Sequence, residues 1–489
     1  MALTIPELFE AAAADVPDKP WLLHEDEAFT YAQARERIGR AAGALAELSV
    51  GRGDLVLATA ANRPEYLFAW LAVMYLGAIH VAVNPRSTES ELAGLVGQVE
   101  PKVVVDDGSV GGLFTDAAVP LDGPGPALPD DPAVLIPTSG TTGRSKLVTQ
   151  TQRAYAMAGE GFPWWMELTP DDRLMTSLPL FHINAPAYSV LGSVAARASL
   201  ALLPGFSAGT FLDDARRHGA TEFNAIGAML EILIRQPERP DDADSPLRLC
   251  YTGPSPTEER QLEIERRFGL RIVCGYAMSE TPYGTVWARG TRPYGTLGSI
   301  RQHPTLGEVN EGRVVRDGRE VGAGEVGELQ LRNPAVMKGY WGMPEETSRV
   351  LLEDGWLRTG DLVRDNGDDT LTFIGREKEV IRRRGENVAP AEIEEVLMSH
   401  PDVLEAAAVG VPSELSEEEI KAFVVVSDSA GTELPGIRAW AAERLTRFKV
   451  PRYLEAVADL PHTPTGRVAK HRLERDRTAG EIDFEADGR

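Results

Sequence analysis

The stretch Thr138-Ser139-Gly140-Thr141-Thr142-Gly143-Arg144-Ser145-Lys146 constrains this chain more than any other. The run Ala133-Val134-Leu135-Ile136 ahead of it reads as a short buried strand, and Pro137 ends the ladder and opens a loop of small hydroxylated and glycine residues. Such a loop holds oxyanions. Glycines let backbone N–H groups come close to a phosphate, serine and threonine hydroxyls add donors, and Arg144 and Lys146 supply positive charge. It is not a Walker loop, which requires Gly before the lysine and Ser or Thr after it, where Ser145 and Leu147 stand here. A flexible polar surface loop is the plain alternative, and a string of this length outweighs it.

Composition bounds what surrounds the loop. With 489 residues, 43% of them hydrophobic, the chain has ample material for an enzyme-sized interior of more than one part. The balance of 50 Lys+Arg against 74 Asp+Glu gives a net charge of −24, which repels nucleic acid and anionic membranes, so an anionic ligand needs a local positive pocket. Two cysteines, Cys250 and Cys274, make no disulfide framework and suggest a reducing, cytoplasmic setting. Met1 to Glu10 lacks the basic head and apolar run of a signal peptide. No membrane span is expected, since even Tyr66 to Val83 is broken by Gly77 and His80.

Strand-like and helix-like stretches alternate along the first half. A helix is expected to start at Thr30-Tyr31 and run through Arg35, Ile38 and Leu45, and another to run from Pro64 to Leu76. Strands are expected at Leu55 to Leu57, Ile79 to Val83, Val103 to Val105 and Val134 to Ile136. This alternation implies an α/β fold with mostly parallel sheets covered on both faces. Asn224 to Leu233 reads as a core helix, and Gly111 to Asp131 as a loose connection.

Four further strings carry chemistry. Leu178-Pro179-Leu180-Phe181-His182 follows a β-like run and places His182 where a strand opens into a loop. Tyr251-Thr252-Gly253-Pro254-Ser255-Pro256 is a strand end entering a tight turn, and Ile272-Val273-Cys274-Gly275-Tyr276-Ala277-Met278-Ser279-Glu280-Thr281 repeats that arrangement. Gly355-Trp356-Leu357-Arg358-Thr359-Gly360-Asp361-Leu362 sets an aspartate beside a glycine, followed by Phe373-Ile374-Gly375-Arg376. Leu460-Pro461-His462-Thr463-Pro464-Thr465-Gly466-Arg467-Val468-Ala469-Lys470 closes the series. Taken singly, each has a structural reading: a satisfied core histidine, turn residues, a solvated charge run.

In this order and at these separations the strings resemble the motifs of the adenylate-forming superfamily, and of its AMP-forming acyl-CoA synthetases in particular. The resemblance spans nearly the whole chain. It implies a large N-terminal domain, residues 1–377, that binds nucleotide and acyl group, and a small mobile C-terminal α/β cap, 378–489, hinged at Lys378. It implies phosphate binding by Thr138, Ser139, Gly140, Thr141, Thr142, Gly143 and Lys146. Gly253, Pro254 and Ser255 are implied at the adenine, Tyr276 stacking on it, Ser279 at phosphate, Glu280 on Mg²⁺, and Asp361 and Arg376 at the ribose. A carboxylate such as Glu280 suits that hard, oxygen-seeking ion. His182 is implied as the gate between carboxylate pocket and pantetheine channel, with Gly227 and Met229 walling the acyl pocket. Arg384, Gly385 and Glu386 match the loop that builds the coenzyme A tunnel, and Arg384 replaces a common Gly. Ala277 and Ser279 replace the usual Gly and Thr of the adenine motif. The Asp that amino-acid-activating relatives place near His182 is missing, which argues against an amino acid substrate.

One departure touches catalysis. The lysine that follows Gly466 in the family pattern is Arg467 here. Removing one preorganised contact of that kind costs on the order of 10²–10³ in rate, and a planar guanidinium does not reproduce a compact ammonium. Lys470 could face the same way only if the segment were helical. Two readings follow. One is a complete ligase joining a carboxylic acid to coenzyme A by way of acyl-AMP, with ATP and Mg²⁺. The other performs only thioesterification of a ready-made acyl-adenylate. A non-catalytic adenylate-binding protein is the reading from another class.

Overall fold

The computed structural model describes residues 4–115, 119–138, 145–253, 255–383, 386–413, 418–427, 433–462 and 468–485, with 386 and 387 by backbone alone. Two compact units emerge. The first comprises Met1–Arg313, Gln330–Arg358 and Asn366–Thr372, the second Val314–Leu329, Thr359–Asp365 and Phe373–Arg489.

Two sheets organise the first unit. The larger has nine strands in the order Ser299–Ile300, Thr281–Val286, Arg271–Met278, Leu249–Thr252, Glu222–Asn224, Arg173–Thr176, Ser199–Leu202, Pro20–His24, Glu27–Thr30. From Arg271–Met278 through Pro20–His24 every neighbouring pair is parallel, and the strands outside that run pair antiparallel. The smaller sheet runs Val103–Asp106, Leu55–Thr59, Ile79–Ala82, Pro132–Thr138, Lys146–Thr151, parallel except for the last pair. Parallel strands must be buried on both faces. Accordingly Ile79–Ala82, Ser199–Leu202 and Leu249–Thr252 are buried at every residue.

Most helices bury an apolar face, and several start at a side-chain cap or a first-turn proline. Thr30 caps Tyr31–Glu47 in a capping box with Gln33, and its buried face includes Ile38 and Leu45, as the spacing predicts. The helix Pro64–Tyr75 is buried almost all round and lies within the main core.

One element differs from the sequence expectation. The stretch Asn224 to Leu233 is not one helix: Glu222–Asn224 is a central strand, and the helix is Gly227–Ile234. Periodicity cannot separate a three-residue buried strand from the helix that follows it. Thr359 to Leu362 lies within the strand Leu357–Asp365, in which Gly360 takes φ +69°.

In the second unit, a four-stranded sheet ordered Val403–Pro412, Glu418–Val426, Tyr453–Ala456, Glu481–Asp483 carries the helices Pro390–Met398 and Leu434–Arg444 over its own core. The first two strands pair antiparallel. A further five-stranded sheet, ordered Arg319–Glu320, Glu311–Arg316, Val326–Arg332, Leu357–Asp365, Leu371–Arg376, lies where the ranges of the two units alternate along the chain. No described helix is long and apolar enough to cross a membrane.

Candidate active site

Open parallel sheets bind ligands beyond the carboxyl ends of their strands. In the nine-stranded sheet four adjacent strands run side by side and release at that edge segments singled out from sequence: Ser279-Glu280 after Arg271–Met278, Gly253 and Ser255 after Leu249–Thr252, Ala225 to Gly227 after Glu222–Asn224, and Ser177 to His182 after Arg173–Thr176. Motifs up to about 100 residues apart in the chain thus meet because their strands are neighbours. Close approach explains one glycine here: a Cβ on Gly253 would lie 2.3 Å from the carbonyl oxygen of Gly275 on the next strand.

Tyr276 pairs with Thr285 across the antiparallel ladder, and its ring lies against Gly284, where a Cβ would come within 3.0 Å of it. Ser279 and Glu280 are held by the chain around strand Lys146–Thr151. The Gln150 amide donates to Ser279 O at 2.7 Å, Met337 N donates to Glu280 O at 2.8 Å, and the Tyr340 hydroxyl donates to Glu280 Oε1 at 2.9 Å. Tyr340 is fixed in turn. Its segment pairs with the same strand, Lys338 N donating to Thr149 O at 3.0 Å and Trp341 N to Leu147 O at 2.8 Å. Burial first, then the Glu280 carboxylate, pushes the Tyr340 hydroxyl well above the usual phenol range, so it stays a donor.

Thr138 and Lys146 face each other across the hairpin that brackets the glycine loop, and Thr138 Oγ1 donates to Lys146 O at 3.2 Å. The Lys146 ammonium is ion-paired with Glu346 and lies 4.9 Å above the Tyr340 ring. Ser139, Gly140, Thr141, Thr142, Gly143 and Arg144 lie outside the described residues, as do Pro254, Arg384, Gly385 and Arg467; for Glu386 only the backbone is described. The oxygens around Glu280 suit Mg²⁺, which is commonly held by one or two carboxylates and substrate phosphates.

His182 sits in a bend, its N–H bonded to Pro179 O at 3.1 Å and its ring against Phe181, 4.4 Å between centroids. That bend is clamped by Asn62, which is 9% exposed. The Asn62 amide donates to Leu178 O at 2.9 Å and Leu203 O at 3.2 Å and accepts from Leu180 N at 3.0 Å. Gly227 and Met229 open the helix Gly227–Ile234, with Met229 buried. Below this edge Arg301 is fully buried. Its guanidinium donates to Thr285 O at 2.8 Å and the Tyr188 hydroxyl at 2.8 Å, contacts the Tyr251 hydroxyl, and lies 4.6 Å over Trp165.

In the second unit Asp361, 3% exposed, pairs with Arg376 Nε at 3.3 Å, bringing together the two residues assigned to one ribose. Lys378 lies in the 3₁₀ turn Glu377–Glu379. Lys470 starts another 3₁₀ turn, and its ammonium is taken by Glu394 Oε1 at 2.7 Å and Glu379 Oε2 at 3.0 Å. Burial pulls this ammonium down, but the two carboxylates outweigh it and the net direction is up.

Sequence reasoning missed Asn62, Gln150, Tyr340 and Arg301. Only Tyr340 carries a local signal, its setting in Gly339-Tyr340-Trp341-Gly342; the others are polar residues whose partners lie far along the chain.

Residues 9–341 match the family model described as AMP-binding enzyme, and residues 392–467 the AMP-binding enzyme C-terminal domain. A sulfoacetate–CoA ligase of Cupriavidus necator is 32% identical, covering 96% of this chain and 99% of that protein. A crotonobetaine/carnitine–CoA ligase of Salmonella typhimurium is 30% identical over 91% and 93%. Among solved structures, o-succinylbenzoate CoA synthetase of Bacillus subtilis with its acyl-adenylate superposes with a TM-score of 0.88 at 26% identity, covering 98% of this chain and 99% of that one. ATP-bound MatB of Rhodopseudomonas palustris gives 0.86 at 27%, covering 96% and 98%.

Proposed function

The chain belongs to the AMP-binding enzyme family, and on that premise we propose that it joins a carboxylic acid to coenzyme A through an acyl-adenylate. One observation carries this reading: three strands of one run of four neighbouring parallel strands deliver His182, Gly253 with Ser255, and Ser279-Glu280 to a single sheet edge. The naming of relatives of nearly the same extent as CoA ligases supports the thiol half.

In the first step a substrate carboxylate oxygen attacks the α-phosphorus of ATP and pyrophosphate leaves. Lys146 and the glycine loop hold phosphate oxygens, Ser279 adds a hydroxyl, Tyr276 stacks on the base, and Asp361 with Arg376 takes the ribose. Glu280, whose carboxylate Tyr340 fixes, would hold Mg²⁺, which when bound would neutralise charge on the phosphates. In the second step the coenzyme A thiol, losing its proton, attacks the acyl carbon and AMP departs with the bonding pair. His182 gates the approach of that thiol, Arg384, Gly385 and Glu386 line its tunnel, and the cap, 378–489, turns about Lys378 between the steps.

Lys470 favours a second reading, in which only the second step is fast. Its ammonium is committed to Glu379 and Glu394, so it is not poised to replace the lysine that Arg467 displaces. A single comparison tests both. ATP, an acid panel and Mg²⁺ are assayed for pyrophosphate release, and supplied acyl-AMP with coenzyme A is assayed for thioester. Thioester from ATP and acid supports the complete ligase. Thioester from acyl-AMP alone leaves the second reading. Thioester from neither overturns both.

A further inference from the structure

Asn224 ends the central strand at the carboxyl edge just described, and it is 1% exposed. Its amide nitrogen donates to Asn184 Oδ1 at 2.7 Å, while its own Oδ1 has no partner among the described residues. Turning both amides over would exchange the roles and still leave one polar atom of Asn224 unmatched. A buried amide atom without a partner is costly, so it is retained in functional proteins where something else completes it. Asn184 is only partly buried. It stands two residues after His182 and immediately before a π-helical turn, Ala185–Val190, a rare irregularity that collects at functional sites.

The space beneath the pair is filled. Tyr251 pairs with Asn224 across the parallel ladder, and Tyr188 lies one turn after Asn184. Both are buried, and Arg301, also buried, bonds their two hydroxyls. Moving this packed group to admit a long chain would break those bonds.

Building on the ligase reading, we propose that the Asn184–Asn224 amide pair is the specificity element of the acyl pocket, hydrogen-bonding a polar group on a short acyl chain. The substrate class is then a short acid with a hydroxyl or carbonyl oxygen a few atoms from its carboxylate. Long unsubstituted fatty acids are excluded. A site built to hydrogen-bond a substrate group rejects the analogue lacking it, because its own polar atoms are left unpaired.

The test uses hydrolysis-resistant acyl-sulfamoyl adenosines and the full chain, with affinity read by calorimetry. The probes are butyryl, its 2-, 3- and 4-hydroxy derivatives, and decanoyl. At least one hydroxy probe is expected to bind about tenfold or more tightly than butyryl, with decanoyl weakest. N184L and N224L are expected to bring the hydroxy-to-butyryl ratio to about one. If N224L does not fold, N184L and N184A carry the test. Equal binding of all short probes by the wild type, tightest binding of decanoyl, or an equal loss on both probe types in the folded variants overturns the proposal alone. Failure of every probe to bind overturns the adenylate reading with it.

Discussion

Tyr340 donates its hydroxyl to Glu280 across 60 residues of chain, at 2.9 Å, and its ring lies 4.9 Å below the Lys146 ammonium. One aromatic side chain thus touches both the carboxylate assigned to the metal and the cation assigned to phosphate. Y340F removes a hydrogen bond to a charged acceptor, worth about 1.5–3 kcal/mol. It is expected to raise the Mg²⁺ concentration needed for half-maximal pyrophosphate release. E280Q is expected to lower the adenylation rate about 10²-fold while leaving thioester formation from supplied acyl-AMP less affected. Parallel assays of the two half-reactions check this.

Asn62 makes three hydrogen bonds, two to the turn before His182 and one to Leu203 O. N62A should cost about 3 kcal/mol, near 1 kcal/mol for each bond lost. N62D keeps the acceptor for Leu180 N but loses both donors, so it should rank with or below the alanine variant. Urea denaturation gives the stability, and single-turnover transfer to coenzyme A gives the effect on the His182 gate.

Lys470, Glu394 and Glu379 form a partly buried ionic group within the second unit. Removing one partner of a buried pair costs about 3–5 kcal/mol, whereas removing both can be nearly neutral. K470M alone should therefore destabilise this unit more than K470M combined with E394Q. Burial lifts the Glu394 carboxyl above its usual range, so part of the penalty in K470M is relieved by protonation and shrinks at low pH. A double-mutant cycle at two pH values measures it.

Glu222 is buried in the central strand, and neither carboxylate oxygen has a partner among the described residues. Burial, reinforced by Asp172, pushes its carboxyl well above the usual range. The folded state therefore holds a proton that the unfolded state has released. Stability contributed by this group is present below the unfolded glutamate pKa of about 4.3 and declines, by up to about 1.4 kcal/mol per pH unit, until the folded value is reached. E222Q should flatten that decline. His80 gives the opposite slope: burial holds its imidazole down at about 3, so its contribution is lost as pH falls from the unfolded value of about 6.5. Denaturation midpoints of wild type, E222Q and H80Q between pH 4 and 9 separate the two.

The sequence by itself determined the α/β class, the helices over Tyr31–Glu47 and Pro64–Tyr75, the four parallel strands of the smaller sheet, and the family, because caps, periodicity and loop chemistry are local properties. It could not separate the strand Glu222–Asn224 from its helix or place Asp361 inside a strand, since tertiary pairing fixes such short elements. Only the tertiary structure decided that Tyr340 braces Glu280, that Asn62 clamps the turn before His182, and that Lys470 is committed to Glu379 and Glu394. Each is a hydrogen bond or ion pair between residues 60 to 118 positions apart. No periodicity or local propensity encodes such a pairing; it exists once neighbouring strands and turns have set the partners within reach.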